Sequence, residues 1–132
     1  MPTRWNDNDA FGHVNNVVYY SFVDTAVNNH LIANGIHDAR FVAASSCRYL
    51  HPCRYPQPLE VGLRVSKLGR TSVTYQIGIF SLPIGSGEDR SGAAPPATLC
   101  AEAEFTHVYV DADGRPTPLP EQARVVLQPL VL

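Results

Sequence analysis

Apolar residues follow two different rhythms along this chain. Between residues 17 and 34 there is neither proline nor glycine, and Val18, Phe22, Ala26, Leu31 and Ala33 recur at a spacing that loosely follows helical turns. Asn15 or Asn16 stands where a first turn wants a side-chain oxygen, and Gly35 stands where a helix end wants a left-handed residue. One long helix is therefore expected over residues 17–34. Its β-branched and Asn residues have weak intrinsic propensity, so tertiary burial must hold it. After Gly35 the rhythm shortens to alternation punctuated by Pro and Gly. Residues 41–50, 59–68, 71–82 and 98–110, rich in Val, Ile, Tyr, Phe and Thr, predict four strands, with Gly69-Arg70 turning the second tightly into the third. Residues 1–6 are few, but Thr3 and Trp5 suit the end of a further strand.

Two stretches fall outside this alternation. Residues 83–96 are rich in Gly, Pro and Ser and predict a long mobile loop. Residues 115–132 carry four prolines and an apolar end (Val125, Val126, Leu127, Leu130, Val131, Leu132) that has to pack on the domain or on a neighbour.

A strand, a helix and four more strands, with no helix available for parallel crossovers, imply a mainly antiparallel sheet. The expected class is α+β, one long central helix packed on a five-stranded sheet within a single domain over residues 1–132. The sheet's free face and edges invite a second copy, so a homodimer is expected. A formal net charge of −2 without a Lys/Arg cluster argues against nucleic acid or an anionic membrane as the partner. No run approaches the roughly 20 apolar residues of a membrane span, and Met1-Pro2-Thr3-Arg4 opens no signal-peptide core. The expected location is cytoplasmic. Cys47, Cys53 and Cys100 lack CxxC spacing and read as free thiols, and His30, His37, His51 and His107 show no metal-ligand spacing, so no metal is expected.

The chemistry concentrates in Asp7-Asn8-Asp9-Ala10-Phe11-Gly12-His13-Val14-Asn15-Asn16. This run supplies carboxylates, a glycine turn and a helix entrance. Amides of a helix's first turn can polarise a carbonyl oxygen while Asp7 or Asp9 attacks its carbon or activates water, a combination suited to acyl transfer. Asp7 is the rival carboxylate and reads as a solvated or turn-stabilising group. Gly12 permits both a bend and the close approach of a substrate. His13 is a structural or substrate-contacting histidine, Asn15 and Asn16 are caps that could also hold Asp9 or a water, and Tyr19, Tyr20 and Phe22 are core or interface aromatics or else ligand contacts, with Asn15, Asn16 and Tyr19 taken as substrate-binding candidates.

Asp7-x-Asp9-x-x-Gly12-His13-Val14-Asn15-Asn16-x-x-Tyr19 resembles the signature of hot-dog-fold acyl-CoA thioesterases of the 4-hydroxybenzoyl-CoA thioesterase type. The likeness extends through Gly69-Arg70-Thr71-Ser72, Val108-Tyr109-Val110-Asp111, Gly114-Arg115-Pro116 and Pro118-Leu119-Pro120. It implies Asp9 as the catalytic carboxylate, the helix start with N–H groups near Gly12 and His13 as the carbonyl-polarising element, and no cofactor beyond the CoA of the substrate. It also implies a dimer with active sites at the subunit interface, often paired into a homotetramer, and CoA phosphates held by Arg70, Thr71 and Ser72. Many relatives carry an acidic residue followed by Ala-Arg in the helix, where this chain has Asp24-Thr25-Ala26-Val27. The implied activity is hydrolysis of an acyl-CoA or acyl-carrier thioester. A non-catalytic acyl-thioester binding or assembly protein of the same fold is the alternative, and a hot-dog dehydratase would need a His and carboxylate pairing that Asp9 and His13 do not resemble.

Overall fold

The computed structural model describes residues 1–83 and 97–132; most of the loop expected over 83–96 lies outside the described residues. A 3-10 turn (Trp5–Asp7) precedes α1 (Asn16–Ala33). Strands β1 (Arg40–Tyr49), β2 (Leu59–Leu68), β3 (Ser72–Ser81) and β4 (Thr98–Tyr109) follow, and α2 (Glu121–Leu127) and a 3-10 turn (Gln128–Leu130) close the chain.

The ends of α1 show why it starts and stops where it does. The Asn15 side chain accepts the Val17 N–H at 3.0 Å, a cap bond. At the other end the Ile36 N–H reaches back to the Leu31 carbonyl and the Gly35 N–H to the Ile32 carbonyl, a Schellman closure that needs the positive φ of 77° at Gly35. Tyr19, Phe22, Val23, Val27 and Leu31 form the buried stripe. Each large apolar side chain buried there contributes about 1.5–3 kcal/mol, which offsets the weak local propensity. The stripe is rotated from the sequence expectation, since Val18 and Ala26 are only half-buried and Ala33 is exposed.

The strands order β1-β4-β3-β2, every neighbouring pair antiparallel. Val73, Tyr75, Ile77 and Ile79 of β3 stand beside His107, Phe105, Ala103 and Ala101 of β4, and all eight are buried in one layer of the core that α1 covers. Strand β1 is the opposite case: none of its residues is buried, and Phe41 and Val42 are 48% and 42% exposed.

Two expectations require correction. The sheet has four strands, not five, and the helical residues are divided between α1 and α2 rather than gathered in one long central helix. Residues 1–6 do not reach strand length. The Leu59 N–H at the edge of β2 donates to the Met1 carbonyl at 2.7 Å, but Trp5–Asp7 then winds into its turn. Further along the same edge, Val131 bridges Val65 in parallel and the Leu132 N–H donates to the Val65 carbonyl. The apolar C-terminal segment thus packs on the domain: Leu119, Ala123 and Leu127 are buried, and Arg124 donates to the Gly69 and Arg70 carbonyls at 2.8 and 3.1 Å. Among the described residues no helix is long and apolar enough to cross a membrane.

Candidate active site

The loop before α1 folds on itself. The Asp9 N–H donates to the His13 carbonyl at 2.9 Å and the Gly12 N–H to the Asp9 carbonyl at 3.1 Å, a closure that places Gly12 at φ 82°. The Val14 N–H then donates to the Cys53 carbonyl at 2.7 Å, and the Asn15 N–H to the Asp7 carbonyl at 2.8 Å, which fixes the loop to both its flanks.

The two carboxylates are separated by these contacts into different roles. Asp7 is 1% exposed and accepts from the Arg4 Nε and Nη2 at 3.0 and 2.8 Å and from the Arg4 backbone N–H at 2.7 Å. It is a turn-stabilising carboxylate with its oxygens occupied. Asp9 keeps 24% of its side chain exposed. Its Oδ1 accepts the Phe11 N–H at 2.8 Å, while Oδ2 lies 3.8 Å from Nδ1 of His13. One oxygen is thus anchored and the other faces open space beside an imidazole that stacks on Phe11.

At the entrance of α1 the amides divide in the same way. Those of Val17 and Val18 are held by the Asn15 side chain and carbonyl, whereas the Asn16 N–H has no partner among the described residues. The Gly12 amide closes its own turn; among the described residues the His13 amide in the loop and the Asn16 amide at the helix start are left open. The position of the Asn16 amide at the positive end of the helix dipole favours developing negative charge.

Asp9 and Asn16 line one cleft of about 550 Å³, together with Phe11, His13, Val14, Tyr19, Tyr49, Leu50, His51 and Pro52. Tyr49 donates its hydroxyl to the Asn16 carbonyl at 3.1 Å and meets Tyr19 edge to face, with centroids 5.2 Å apart. Beneath, the buried Tyr19 hydroxyl and Cys53 thiol lie 3.0 Å apart. Desolvation pushes Tyr49 up to about 12 and raises Tyr19 and Cys53 as well, so this wall is neutral near physiological pH. Phe11, Tyr49, Leu50, His51 and Pro52 were not singled out as site residues in the sequence. Tyr49 to Pro52 reach the helix start only because β1 runs back beneath α1, and nothing local marks that.

Arg70, Thr71 and Ser72 occupy the hairpin at the other end of the sheet. Tyr49 and Ile79 both pair with Ala101 in the row nearest Asp9, whereas the hairpin follows the Val73 row. At about 3.3 Å per residue that is about 20 Å. A single chain therefore brings together Asp9, His13, Asn16 and Tyr19, leaves Asn15 as the cap, and does not bring the hairpin to them. All three cysteines are free, Cys53 and Cys100 buried. Among the described residues no three His, Cys, Asp or Glu side chains gather as a metal site would need.

The thioesterase-like superfamily profile matches residues 3–127, and the chain belongs to that family. Similar solved structures include the PA5185 protein of Pseudomonas aeruginosa, 40% identical over 99% of this chain and 88% of that one, with a TM-score of 0.85. A thioesterase of Thermus thermophilus complexed with coenzyme A and Zn is 26% identical over 98% of this chain and 90% of its own, TM-score 0.77. A mutant 4-hydroxybenzoyl-CoA thioesterase holding 4-hydroxybenzoyl-CoA shares the fold at 15% identity, covering 96% of this chain and 94% of its own, TM-score 0.80. Among curated proteins none matches. The fold is the α+β hot-dog arrangement of thioesterases.

Proposed function

We propose that this protein hydrolyses an acyl-CoA or acyl-carrier thioester, with Asp9 as the reacting carboxylate. The observation that carries this is that Asp9 and Asn16, whose N–H has no partner among the described residues, line one cleft at the start of α1. The thioester carbonyl oxygen lies against the Asn16 amide. Asp9 then either attacks the carbonyl carbon, expelling the thiolate and leaving a mixed anhydride that water cleaves to acid and free Asp9, or takes a proton from a water that attacks instead. A thiolate leaves without protonation, so no separate general acid is needed. His13, beside the open Asp9 oxygen, orients the carboxylate or contacts substrate.

The working unit in this proposal is at least a dimer. The exposed outer edge of β1 offers unpaired backbone groups to a second copy. Antiparallel pairing along it places the second copy's Gly69–Ser72 hairpin at the Asp9 end of the first, where Arg70, Thr71 and Ser72 can meet the CoA phosphates. The test is thiol release from short, medium and long aliphatic and aromatic acyl-CoAs. At least one class turns over; saturable binding without release of thiol from any of them would instead favour the non-catalytic binding protein.

A further inference from the structure

The peptide groups on both sides of the Asn16 Cα are pinned. Upstream, the Asn15 carbonyl accepts the Val18 N–H at 2.9 Å and the Asn15 N–H donates to the Asp7 carbonyl at 2.8 Å. Downstream, the Val17 N–H is taken by the Asn15 side chain, and the Asn16 carbonyl accepts the Tyr49 hydroxyl at 3.1 Å. Of these four bonds only the last joins the helix start to the sheet. Tyr49 is the final residue of β1 and stands 33 positions from Asn16 in the sequence. Its backbone is set by β4: Tyr49 pairs with Ala101, and the next two amides, Leu50 and His51, both donate to the Cys100 carbonyl at 2.8 and 3.1 Å. Its ring is set by Tyr19, which it meets edge to face, and also lines the cleft that holds Asp9. Strand pairing and an aromatic contact thus direct one hydroxyl at the first turn of α1.

We propose that Tyr49 is a positioning residue for thioester cleavage: its hydroxyl fixes the Asn16 backbone so that the open N–H stays directed at the carbonyl oxygen of the bound substrate. The inference rests on the thioesterase proposal and deepens it, adding a residue that acts through Asn16 rather than on the substrate. A phenol has one hydrogen, and that of Tyr49 is already given to the Asn16 carbonyl, so it is not a spare donor for the thioester. Desolvation raises Tyr49 to about 12, which makes it a poor proton source and keeps the bond to Asn16 intact at neutral and moderately alkaline pH. An oxyanion donor is effective when it is preorganised towards the place where charge develops, and a misplacement of about 1 Å costs up to about 10²-fold in rate. The amides of a helix's first turn have no partner within the helix to hold them in line. A fixed point supplied by the sheet therefore has its largest effect at this end of α1.

The experiment is a double-mutant cycle on the intact protein, with parent, Tyr49→Phe, Asn16→Pro and the double variant assayed for kcat and KM on the acyl-CoA that the parent cleaves best. Tyr49→Phe keeps the ring against Tyr19 and removes only the hydroxyl. Its kcat falls about tenfold while KM stays within about twofold. In the Asn16→Pro background, where the N–H is already gone and the Asn16 carbonyl is not, the same change costs less than about twofold. A Tyr49 that merely supports the fold or touches substrate costs the same factor in both backgrounds, and that result overturns the proposal. So does a higher KM with kcat unchanged, or a Tyr49→Phe protein as fast as the parent. A second readout needs no Asn16 variant: in isotope-labelled protein the Asn16 and Val17 amide resonances shift on Tyr49→Phe, and unmoved resonances also overturn it. If the parent cleaves no thioester, the hydrolase assignment falls and the positioning role with it; an active parent with an additive cycle removes the positioning role alone.

Discussion

Replacing Asn16 by proline removes one hydrogen atom of central interest while leaving the helix able to form. Asn16 is the first residue of α1, the position where proline is tolerated because its missing N–H has no partner within the helix. The residue before a proline must be extended, and Asn15 already has φ −62° and ψ 136°. The cap bond from the Val17 N–H to Asn15 involves neither atom lost. Stability should therefore move by less than about 1 kcal/mol, within the range of surface substitutions and small backbone adjustments. If the Asn16 amide holds the oxyanion, its removal lowers kcat by about 10²–10³-fold, or about 2.7–4 kcal/mol of transition-state stabilisation. Asn16→Ala keeps the amide and loses far less, which separates backbone from side chain. The assay is thiol release at saturating thioester, with α1 helicity followed by circular dichroism. A folded Asn16→Pro protein that retains a third or more of the parental kcat would refute the assignment of the oxyanion to this amide.

Stability carries two further predictions. Burial first, and the Arg40 guanidinium second, lower His107 from an ordinary 6.5 to about 4, and its Nδ1 has no partner. The unfolded chain therefore binds a proton that the folded chain refuses: stability is fully present above pH 6.5 and is lost as pH falls towards 4, by about 1 kcal/mol at pH 5.5 relative to pH 7. Urea unfolding at those two pH values should show the parent losing about 1 kcal/mol more than His107→Gln, and equal losses would count against it. Gly35→Ala, at φ 77° in the closing turn of α1, should cost about 1–2 kcal/mol and several degrees of Tm by calorimetry, whereas an unchanged Tm would contradict the strain argument.

What was legible in the sequence is mostly what local chemistry decides. Gly35 marks the end of α1 because only that conformation lets two amides reach back to Leu31 and Ile32. The four long strands stand within two residues of the alternating runs, and in β2, β3 and β4 those runs bury one face. The buried face of α1 was harder, since Val17, Val18, Tyr20 and Ile32 are apolar without being buried, and the periodicity blurs. Helix α2 was missed because its seven residues, between Pro120 and Pro129, give only about two turns of signal, and its position depends on Arg124 reaching the Gly69 and Arg70 carbonyls. At the candidate site, a carboxylate at Asp9 beside the helix start and a cap at Asn15 or Asn16 were readable from one motif, and the cap is Asn15. The assignment of the open helix-start amide to Asn16 was not, because it depends on where Gly12 and Asn15 direct their own hydrogen bonds. Tyr49 and His51 enter the cleft through strand pairing and a return from β1, which no short window contains.

The most direct measurement is the kcat of Asp9→Asn beside the parent, on whichever acyl-CoA the parent cleaves best, with both proteins shown to be folded and in the same oligomeric state. The substitution keeps the side chain's shape and its Oδ1 bond from the Phe11 N–H while removing the charge. If Asp9 is nucleophile or base, turnover falls at least about 10²-fold while acyl-CoA still binds. Full turnover by the folded variant would place the reacting group elsewhere and contradict the account at its centre.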